Sequence, residues 1–304
     1  MAMAPRQCIL CSRSQFTLAD SRVADFEYGS PGVHDYWACD GCGLVAIDPQ
    51  PGEDILAAAY PPDYHAYLPS RSNLGRYFKM RYWRRKARAY ARLIDAGGRI
   101  LDVGCANGDF LAEMRRQGFT NLLGLDFSEE AVRRVRARDL EAVRGEVDTA
   151  DLPDGAFDLI VMTNFIEHVP DPGATMVRCR ALLRPGGYVV GETPNIACWD
   201  YRFFRRHWGG YHAPRHFFLF DPFTLARLGE RAGLRACSVR NMVQPAHWAL
   251  SVQNRLHDSW LRLGVNGGRS IWYTPLQLAT IPVNITQHLL SQTTSVEFIF
   301  QRSV

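Results

Sequence analysis

The chain of 304 residues predicts an α/β fold built on a mostly parallel, Rossmann-like sheet. Three observations support this prediction. From residue 97 onward, short apolar strands alternate with amphipathic helices, the first strand runs into a glycine-containing turn, and the second strand ends at Asp126. In parallel α/β sheets, such turns and strand ends meet at the carboxyl edge, where ligands bind. We therefore expect the functional site at that edge.

Composition limits the class of protein. Hydrophobic residues make up 47% and charged residues 22%, as in soluble globular proteins. The net charge of +4 comes from 35 basic and 31 acidic residues, a balance that disfavours nucleic acid as a partner. The N-terminus lacks an apolar signal core, and no apolar run reaches the roughly 18 to 20 residues that span a bilayer. We expect a cytoplasmic protein whose eight cysteines bind metal or pack in cores.

Four of these cysteines form two Cys-x-x-Cys pairs with 27 residues between the pairs. The second pair includes a glycine at 41 and is followed by a glycine at 43, which allow a tight turn, and apolar strand-like segments flank it. Four thiolates in tetrahedral array are a donor set that zinc favours, and a closed set of four leaves no position for catalysis. We predict a structural zinc ion and a zinc-ribbon module over residues 1–52. The proposed ligands are Cys8, Cys11, Cys39 and Cys42.

Residues 53–96 are predicted to be a linker and a basic amphipathic helix. Proline, glycine and tyrosine are frequent at 49–70, and a helical pattern follows at 72–95. One face of that helix is apolar and includes Tyr77 and Phe78. The opposite face carries lysines 79 and 86 among several arginines. Such a face is typical of a solvated helix surface, and the alternative is contact with anionic lipid, RNA or a phosphorylated substrate.

The remaining residues, 97–304, are predicted to form the cofactor-binding domain. Strands are expected at 100–104, 121–126, shortly before residue 148, 157–163, up to residue 192, 234–241 and 295–301. The last two strands enclose a helical insertion at 243–293 that is rich in tryptophan. A lid, a dimer face and a lipid-facing hairpin remain open as roles for this insertion.

The turn after the first strand discriminates between cofactors. A dinucleotide site requires Gly-x-Gly-x-x-Gly, and Ala106 and Asp109 occupy the second and third glycine positions here. A carboxylate at the third position would face two phosphate charges. No Gly-Lys-Ser/Thr triplet follows Gly108, so a nucleoside-triphosphate loop is also disfavoured. A cofactor with a positive centre and no phosphate, such as S-adenosylmethionine, fits this turn better.

The segment Leu101-Asp-Val-Gly-Cys-Ala-Asn-Gly108, together with the later spacings up to residue 192, resembles the class I S-adenosylmethionine-dependent methyltransferases. The resemblance implies a seven-stranded sheet of order 3-2-1-4-5-7-6. Asp126 is expected to bond the ribose hydroxyls, Phe127 to stack on adenine, and Asp148 to accept from the adenine amino group. The full set of expected cofactor-binding residues is Asp102, Gly104, Cys105, Ala106, Gly108, Asp126, Phe127, Asp148, Thr149 and Asn164. If Ala106 has a positive φ, it costs roughly 1 kcal/mol relative to glycine.

A histidine after the fourth strand is the first candidate for a general base. His168 follows Glu167 at the edge where the methyl group would lie, and imidazole titrates near neutral pH. The alternative is a structural role in holding the cofactor loop. Related quinone-precursor O-methyltransferases have Glu-x-x-Glu-His here and bind magnesium. Asn164 occupies the first position in this chain and removes one charged ligand, which disfavours magnesium.

The segment from residue 192 to residue 216 predicts a substrate-binding loop, with a packed surface loop as the alternative. Aromatic residues, histidines and arginines alternate there without helical or strand periodicity. Arg215 is expected to grip a carboxylate or phosphate, and His212 or His216 to accept a hydroxyl proton. The expected substrate-binding residues are Glu192, Asn195, Trp199, Tyr211 and Arg215. The sequence Pro-Arg-His-Phe at 214–217 resembles one in zinc-ribbon methyltransferases of saccharide and secondary-metabolite pathways.

These features predict methyl transfer to a small polar molecule, first to a hydroxyl and with less support to a carbon or an amine. A phosphorylated or lipid-linked acceptor, peripheral membrane contact, and a monomeric or homodimeric state are left open. One alternative is an RNA methyltransferase that uses the zinc ribbon for binding. The other is a non-catalytic scaffold associated with a membrane through the insertion.

Overall fold

The computed structural model describes residues 7–61, 64, 73–242, 244–261, 263–265 and 267–304, except the side chain at 74. The first three strands form an antiparallel sheet, and two helices follow. They are β1 (Phe16–Ala24), β2 (Val33–Cys39), β3 (Val45–Ile47), α1 (Glu53–Ala59) and α2 (Asn73–Tyr90). Most of the predicted linker at 62–70 and the predicted helix start at 72 lie outside the described residues.

The second sheet has seven strands and several flanking helices. Its elements, with one short strand that lies outside it, are β4 (Ile100–Val103), α3 (Asp109–Arg116), β5 (Leu122–Asp126), α4 (Glu129–Arg136), β6 (Glu141–Arg144), β7 (Phe157–Thr163), α5 (Pro172–Leu182), β8 (Leu183–Pro194), α6 (Trp199–Phe204), β9 (Phe218–Leu219), α7 (Pro222–Arg231), β10 (Leu234–Met242), α8 (Ala246–His257), α9 (Tyr273–Ala279), α10 (Ile281–Leu289) and β11 (Ser295–Arg302). Short 3₁₀ turns occur at Ile166–His168 and Arg205–His207.

The strand order is β6-β5-β4-β7-β8-β11-β10, and β11 runs antiparallel to both of its neighbours. This is the predicted order 3-2-1-4-5-7-6, so the predicted fold class is confirmed. The central strands β4, β5 and β7 are parallel and buried almost throughout, so helices must cover both faces of the sheet. Helices α8, α9 and α10 lie in the insertion between β10 and β11.

The fourth strand of the N-terminal sheet, β9, comes from a later segment of the chain, between α6 and α7. β9 pairs with β3, so the order of the small sheet is β1-β2-β3-β9. The Tyr36 hydroxyl donates a hydrogen bond to the backbone oxygen of His216 (3.1 Å), directly before β9. Buried residues of the two sheets form a single apolar core. The two parts therefore share one interior.

Helix α2 differs from its predicted pattern. Its second half is anchored by Lys86 and Tyr90, which are buried, whereas Tyr77 and Phe78 are 59% and 52% exposed. The prediction that Lys86 lies on a solvated basic face is therefore wrong. The lysine is buried because two glutamates of the large sheet attract it: its Nζ lies 2.7 Å from Glu192 and 3.1 Å from Glu297.

The segment that was predicted to be an irregular loop contains α6 and a 3₁₀ turn. Helix α6 begins after Cys198, whose sulfur accepts from the Tyr201 backbone N–H (3.5 Å). No helix in the described part of the chain is both long enough and apolar enough to cross a bilayer.

Candidate active site

The turn after β4 has the left-handed backbone that its glycines predict. Gly104 and Gly108 have φ of +72°, and Ala106 has φ of +47°. A side chain at Gly104 would place its Cβ 2.8 Å from the Phe165 ring. Ala106 therefore carries the strain that its sequence position suggested, roughly 1 kcal/mol relative to glycine. Its backbone N–H donates to Asp126 Oδ2 (2.9 Å), which supports this conformation.

Two buried carboxylates face this turn from neighbouring strands. Asp126 ends β5 and also accepts from the Ser128 backbone N–H (2.9 Å), so both oxygens are held in place. Burial raises the pKa of Asp126, and burial together with the nearby Asp126 raises the pKa of Asp102. Each oxygen of Asp126 keeps a second lone pair. This set of hydrogen-bond acceptors fits ribose hydroxyls and a cationic methionine tail, and it disfavours phosphates.

Asp109 does not contribute free negative charge to that edge. Its two oxygens pair with Lys79 (3.0 Å) and Arg138 (2.9 Å). Against the cost of burial, Lys79 and Arg138 hold the pKa of Asp109 below its usual range. The sequence argument that Asp109 would repel a dinucleotide is therefore corrected. The acidic character of the site comes from the two aspartates on the strands.

The expected adenine contacts lie at the same edge. The Phe127 ring is 49% exposed, and the Tyr60 ring meets it edge-on at 5.6 Å between centroids. Asp148 accepts from the Thr175 hydroxyl (2.9 Å), which orients its carboxylate. Thr149 and Asn164 are exposed, and Cys105 is buried behind the turn. Their contacts with a cofactor remain predictions.

Three histidines gather beside this edge. The His168 and His216 rings lie 4.5 Å apart, and the His212 and His216 rings lie 4.9 Å apart. His168 Nδ1 lies 3.0 Å from the backbone oxygen of Arg215 and 2.9 Å from the Tyr60 hydroxyl. Burial, with smaller contributions from His212 and Arg215, lowers the pKa of His168 to about 3. This imidazole is therefore neutral at physiological pH.

His216 is buried, and His212 is half-buried. His216 donates from Nδ1 to the Gly210 carbonyl (2.8 Å), and its Nε2 lies 3.9 Å from Glu167. The carboxylate of Glu167 is fully buried, and burial raises its pKa to about 8. His212 Nδ1 contacts Glu27. Of the three candidate bases, only His168 combines partial exposure with a position on the loop directly after β7.

Four of the five expected substrate-binding side chains are held inside the protein. Glu192 pairs with Lys86 and accepts from the Tyr82 hydroxyl. The Asn195 amide donates to the backbone oxygen of Thr293 (2.8 Å). The Tyr211 hydroxyl donates to Asp20 (2.7 Å). Trp199 lies elsewhere, in an apolar groove beside Phe203 and Trp248.

Arg215 has the most complete set of internal partners. Its side chain is fully buried, and its terminal nitrogens donate to Asp25 (3.1 Å), Glu27 (3.2 Å) and the backbone oxygen of Ala59 (3.0 Å). The predicted grip on a substrate anion is therefore corrected. The carboxylates that Arg215 binds belong to this chain and lie in the segment after β1.

The four cysteines of the N-terminal module converge as predicted. Their sulfur atoms all lie within 4.8 Å of one another, with Cys8–Cys42 at 3.5 Å and Cys11–Cys39 at 3.4 Å. A tetrahedral zinc site with bonds of about 2.3 Å has sulfur–sulfur edges of about 3.8 Å. A Cβ on Gly41 would lie 2.4 Å from the Arg13 side chain and 3.1 Å from the Cys11 sulfur, so the glycine leaves room for both. The arrangement fits a zinc ion.

Several residues of the site were not singled out by the sequence analysis. Tyr60 bridges Phe127 and His168, and Glu27 supports His212. Lys86 neutralises Glu192. The richness of tyrosine at 49–70 was the one available signal for Tyr60. The contacts of Glu27 and Lys86 join residues that are more than 100 positions apart in the sequence, and no local pattern predicts them.

A seven-stranded sheet of this order, with a glycine turn and an acidic strand end, defines the class I methyltransferase fold. The chain belongs to the methyltransferase domain family, whose profile matches residues 74–239.

Curated relatives include the ubiquinone biosynthesis O-methyltransferase of Bordetella avium, 31% identical over 161 residues, which are 48% of this chain and 66% of the relative. That of Xanthomonas axonopodis pv. citri is 38% identical over 112 residues, 34% of this chain and 46% of the relative. The chain thus matches between about half and two thirds of the length of these two relatives.

Among solved structures, a SAM dependent methyltransferase from Archaeoglobus fulgidus aligns with a TM-score of 0.50 at 19% identity, covering 73% of this chain and 94% of that one. A chain from the complex of the Haloferax volcanii Trm112 methyltransferase activator aligns with a TM-score of 0.53 at 18% identity, covering 76% and 95%. At these identities the likeness concerns the fold alone.

Proposed function

We propose that the protein transfers a methyl group from S-adenosylmethionine to a hydroxyl of a small polar molecule, such as a saccharide or secondary metabolite. The observation that carries the proposal is the placement of Asp126, the glycine turn and the partly exposed His168 at one sheet edge. The relatives that are named O-methyltransferases support a hydroxyl acceptor.

The residues of this chain act mainly by positioning. When bound, S-adenosylmethionine supplies a methyl group on a sulfonium, which leaves as a neutral thioether. Asp126 holds the ribose through two oxygens whose orientation the Ala106 and Ser128 amides set. Asp102 offers a buried carboxyl group to the amino-acid tail. Holding two reactants in line removes much of the entropic barrier to reaction.

His168 is the general base in this proposal. The backbone oxygen of Arg215 can only accept a hydrogen bond, so the contact at 3.0 Å favours a proton on Nδ1. The lone pair then resides on Nε2, where it can take the proton of the acceptor hydroxyl. The depressed pKa of His168 departs from the near-neutral titration that the sequence suggested: it leaves Nε2 unprotonated at neutral pH but makes it a weak base, so the ring would take the hydroxyl proton only as the methyl group is transferred. The His216 ring packs edge-on against the His168 ring, at 4.5 Å between centroids.

We further propose that zinc, held by Cys8, Cys11, Cys39 and Cys42, has a structural role. All four positions of the ion are taken by thiolates, so none is open to substrate. The ion would join the turn before β1 to the turn between β2 and β3. That sheet carries β9 and thereby the chain that follows the histidine cluster.

Replacing Asp126 with asparagine is expected to weaken S-adenosylmethionine binding about 100-fold or more, measured by calorimetry. Two charge-assisted hydrogen bonds to ribose, each worth about 1.5 to 3 kcal/mol, would be lost or weakened. Asp139→Asn is the matched control, because Asp139 lies beyond the far end of α4 with φ of +55°, which asparagine tolerates. Equal affinities for Asp126→Asn and the wild type would contradict the assigned cofactor site.

Replacing His168 with alanine is expected to lower kcat by about 10² to 10³ while cofactor affinity stays unchanged. A labelled methyl donor with a panel of hydroxyl compounds provides the assay. Because the pKa of His168 is about 3, protonation of this residue should not lower the wild-type rate as the pH falls through 6.5. His168→Asn separates the roles: its amide can replace the Nδ1 donor but cannot act as a base. An active His168→Asn enzyme would show that His168 only holds the loop.

A further inference from the structure

Helix α10 has an unusual distribution of polar and apolar side chains. Asn284 and Gln287 point inward and are buried. Gln287 donates to Asp200 (3.2 Å) and accepts from the Trp248 ring nitrogen (2.7 Å). The outward face carries Ile281, Ile285 and Leu289, which are 42%, 55% and 77% exposed.

This pattern departs from that of a helix that faces water, although Thr286 and His288 are exposed as well. The spacing of Ile281, Ile285 and Leu289 places them on one stripe, since residues four apart share a helix face. A surface helix normally buries its aliphatic stripe and exposes its polar one. The outward stripe of α10 therefore fits an apolar surrounding rather than water.

Other exposed apolar side chains flank the same helix. Trp260 is 88% exposed and lines a groove of about 450 Å³ together with Phe203 and with Val283 of α10. Trp272, directly before α9, is 54% exposed. We call Trp260 and the stripe Ile281, Ile285 and Leu289 the apolar face.

The charged side chains that line the groove at Trp260 and the neighbouring groove are two exposed arginines, Arg255 and Arg202. From Ser270 to Leu290 the sequence has no Asp, Glu, Lys or Arg. The insertion 243–293 as a whole has three arginines and one acidic residue, Asp258. That carboxylate already accepts from Arg206 (2.9 Å) and His207 (2.8 Å). Arg255 is exposed at the groove beside Trp260.

We propose that the apolar face rests on an anionic lipid surface, with Ile285, Leu289 and Trp260 inserted at the level of the headgroups. An interfacial helix uses apolar and aromatic side chains for insertion and cationic neighbours for anionic lipids. A second copy of this chain would bring the same arginines and pair like charges. Anionic headgroups neutralise them, and a bilayer accepts protruding side chains without a matching cavity.

The test is co-sedimentation of the full chain with vesicles of phosphatidylcholine alone or mixed with phosphatidylglycerol. We expect the protein to sediment with the mixed vesicles and to be released by high salt, which screens the arginines. The double variant Ile285→Glu/Leu289→Glu should bind at least tenfold less. Phe223→Glu is the matched control, since Phe223 is 61% exposed on α7, outside the insertion, and it should bind as the wild type does.

A second variant, Ile285→Ser/Leu289→Ser, guards against a folding defect, and thermal melting checks all variants. Three results would overturn the proposal: wild-type protein that stays in the supernatant with both vesicle types, a glutamate double variant that binds like the wild type, and a wild-type dimer in solution that the double variant turns into a monomer. The last result would assign the apolar face to a second copy.

Discussion

Chelation of the metal at the four-cysteine site is expected to lower the melting temperature by more than about 10 °C and to abolish methyl transfer. Structural zinc contributes about 10 kcal/mol or more to small zinc-bound peptides, and a loss of about 4 kcal/mol already shifts a domain of this size by that amount. Metal content, thermal melting and turnover before and after chelation provide the measurement.

The physical reason for the loss of activity is the shared sheet. β3 pairs with β9, and the Ile47 backbone N–H donates to the Phe217 oxygen (2.9 Å), next to His216. When the cysteine turns open, this segment loses its partner and the histidine cluster loses its geometry. The cofactor edge at Asp126 lies on the other sheet, so we expect cofactor binding to survive.

Matched cysteine variants separate this effect from general thiol chemistry. Cys39→Ser removes one proposed ligand at the end of β2, whereas Cys237→Ser changes an exposed cysteine outside the cluster. Only the first should lose metal and stability. If the purified protein carries no zinc and both variants melt like the wild type, the structural zinc site does not exist.

Replacing Arg215 with leucine is expected to lower the free energy of unfolding by about 3 to 5 kcal/mol, measured by urea denaturation. The change would leave the buried carboxylates of Asp25 and Glu27 without their cation, and breaking a buried pair from one side has this cost. Arg215 also lies over the rings of Tyr28 (5.0 Å) and Tyr64 (5.8 Å), contacts that leucine cannot reproduce.

The control is another arginine of the same segment. Arg205 pairs with Asp20 of β1 (3.5 Å) but its side chain is 52% exposed, so Arg205→Leu should cost about 1 kcal/mol or less. The triple variant Arg215→Leu/Asp25→Asn/Glu27→Gln should recover part of the loss, because no uncompensated charge remains. A stable Arg215→Leu protein with only a raised KM would support the substrate-binding role that the sequence suggested.

The sheet and the cofactor edge could be predicted because their signals are local. Burial on both faces makes β4, β5 and β7 apolar runs, and the glycines of the turn report positive φ directly. The cysteine pairs are equally local, since each pair lies within one turn. Each of these features could be predicted from a single segment of the sequence.

The residues that would bind the methyl acceptor could not be predicted in the same way. Polar and aromatic residues at 192–216 indicated a binding loop, yet Glu192, Tyr211 and Arg215 are buried against partners from α2 and the N-terminal module. A charged residue in a sequence does not show whether its counterion is a ligand or a distant part of the same chain. The same ambiguity affected Lys86 and Asp109.

The sequence by itself determined the alternation of strands and helices, the glycine turn after β4 and the two cysteine pairs, because each depends on neighbours within a few residues or on a repeated spacing; the sheet order followed from the resemblance to class I methyltransferases. Only the tertiary structure decided which charges are internal, how the three histidines are placed, and which face of α10 points outward. Those outcomes depend on ion pairs and packing between segments as far apart as Glu27 and Arg215, where burial makes the pairing energetically decisive.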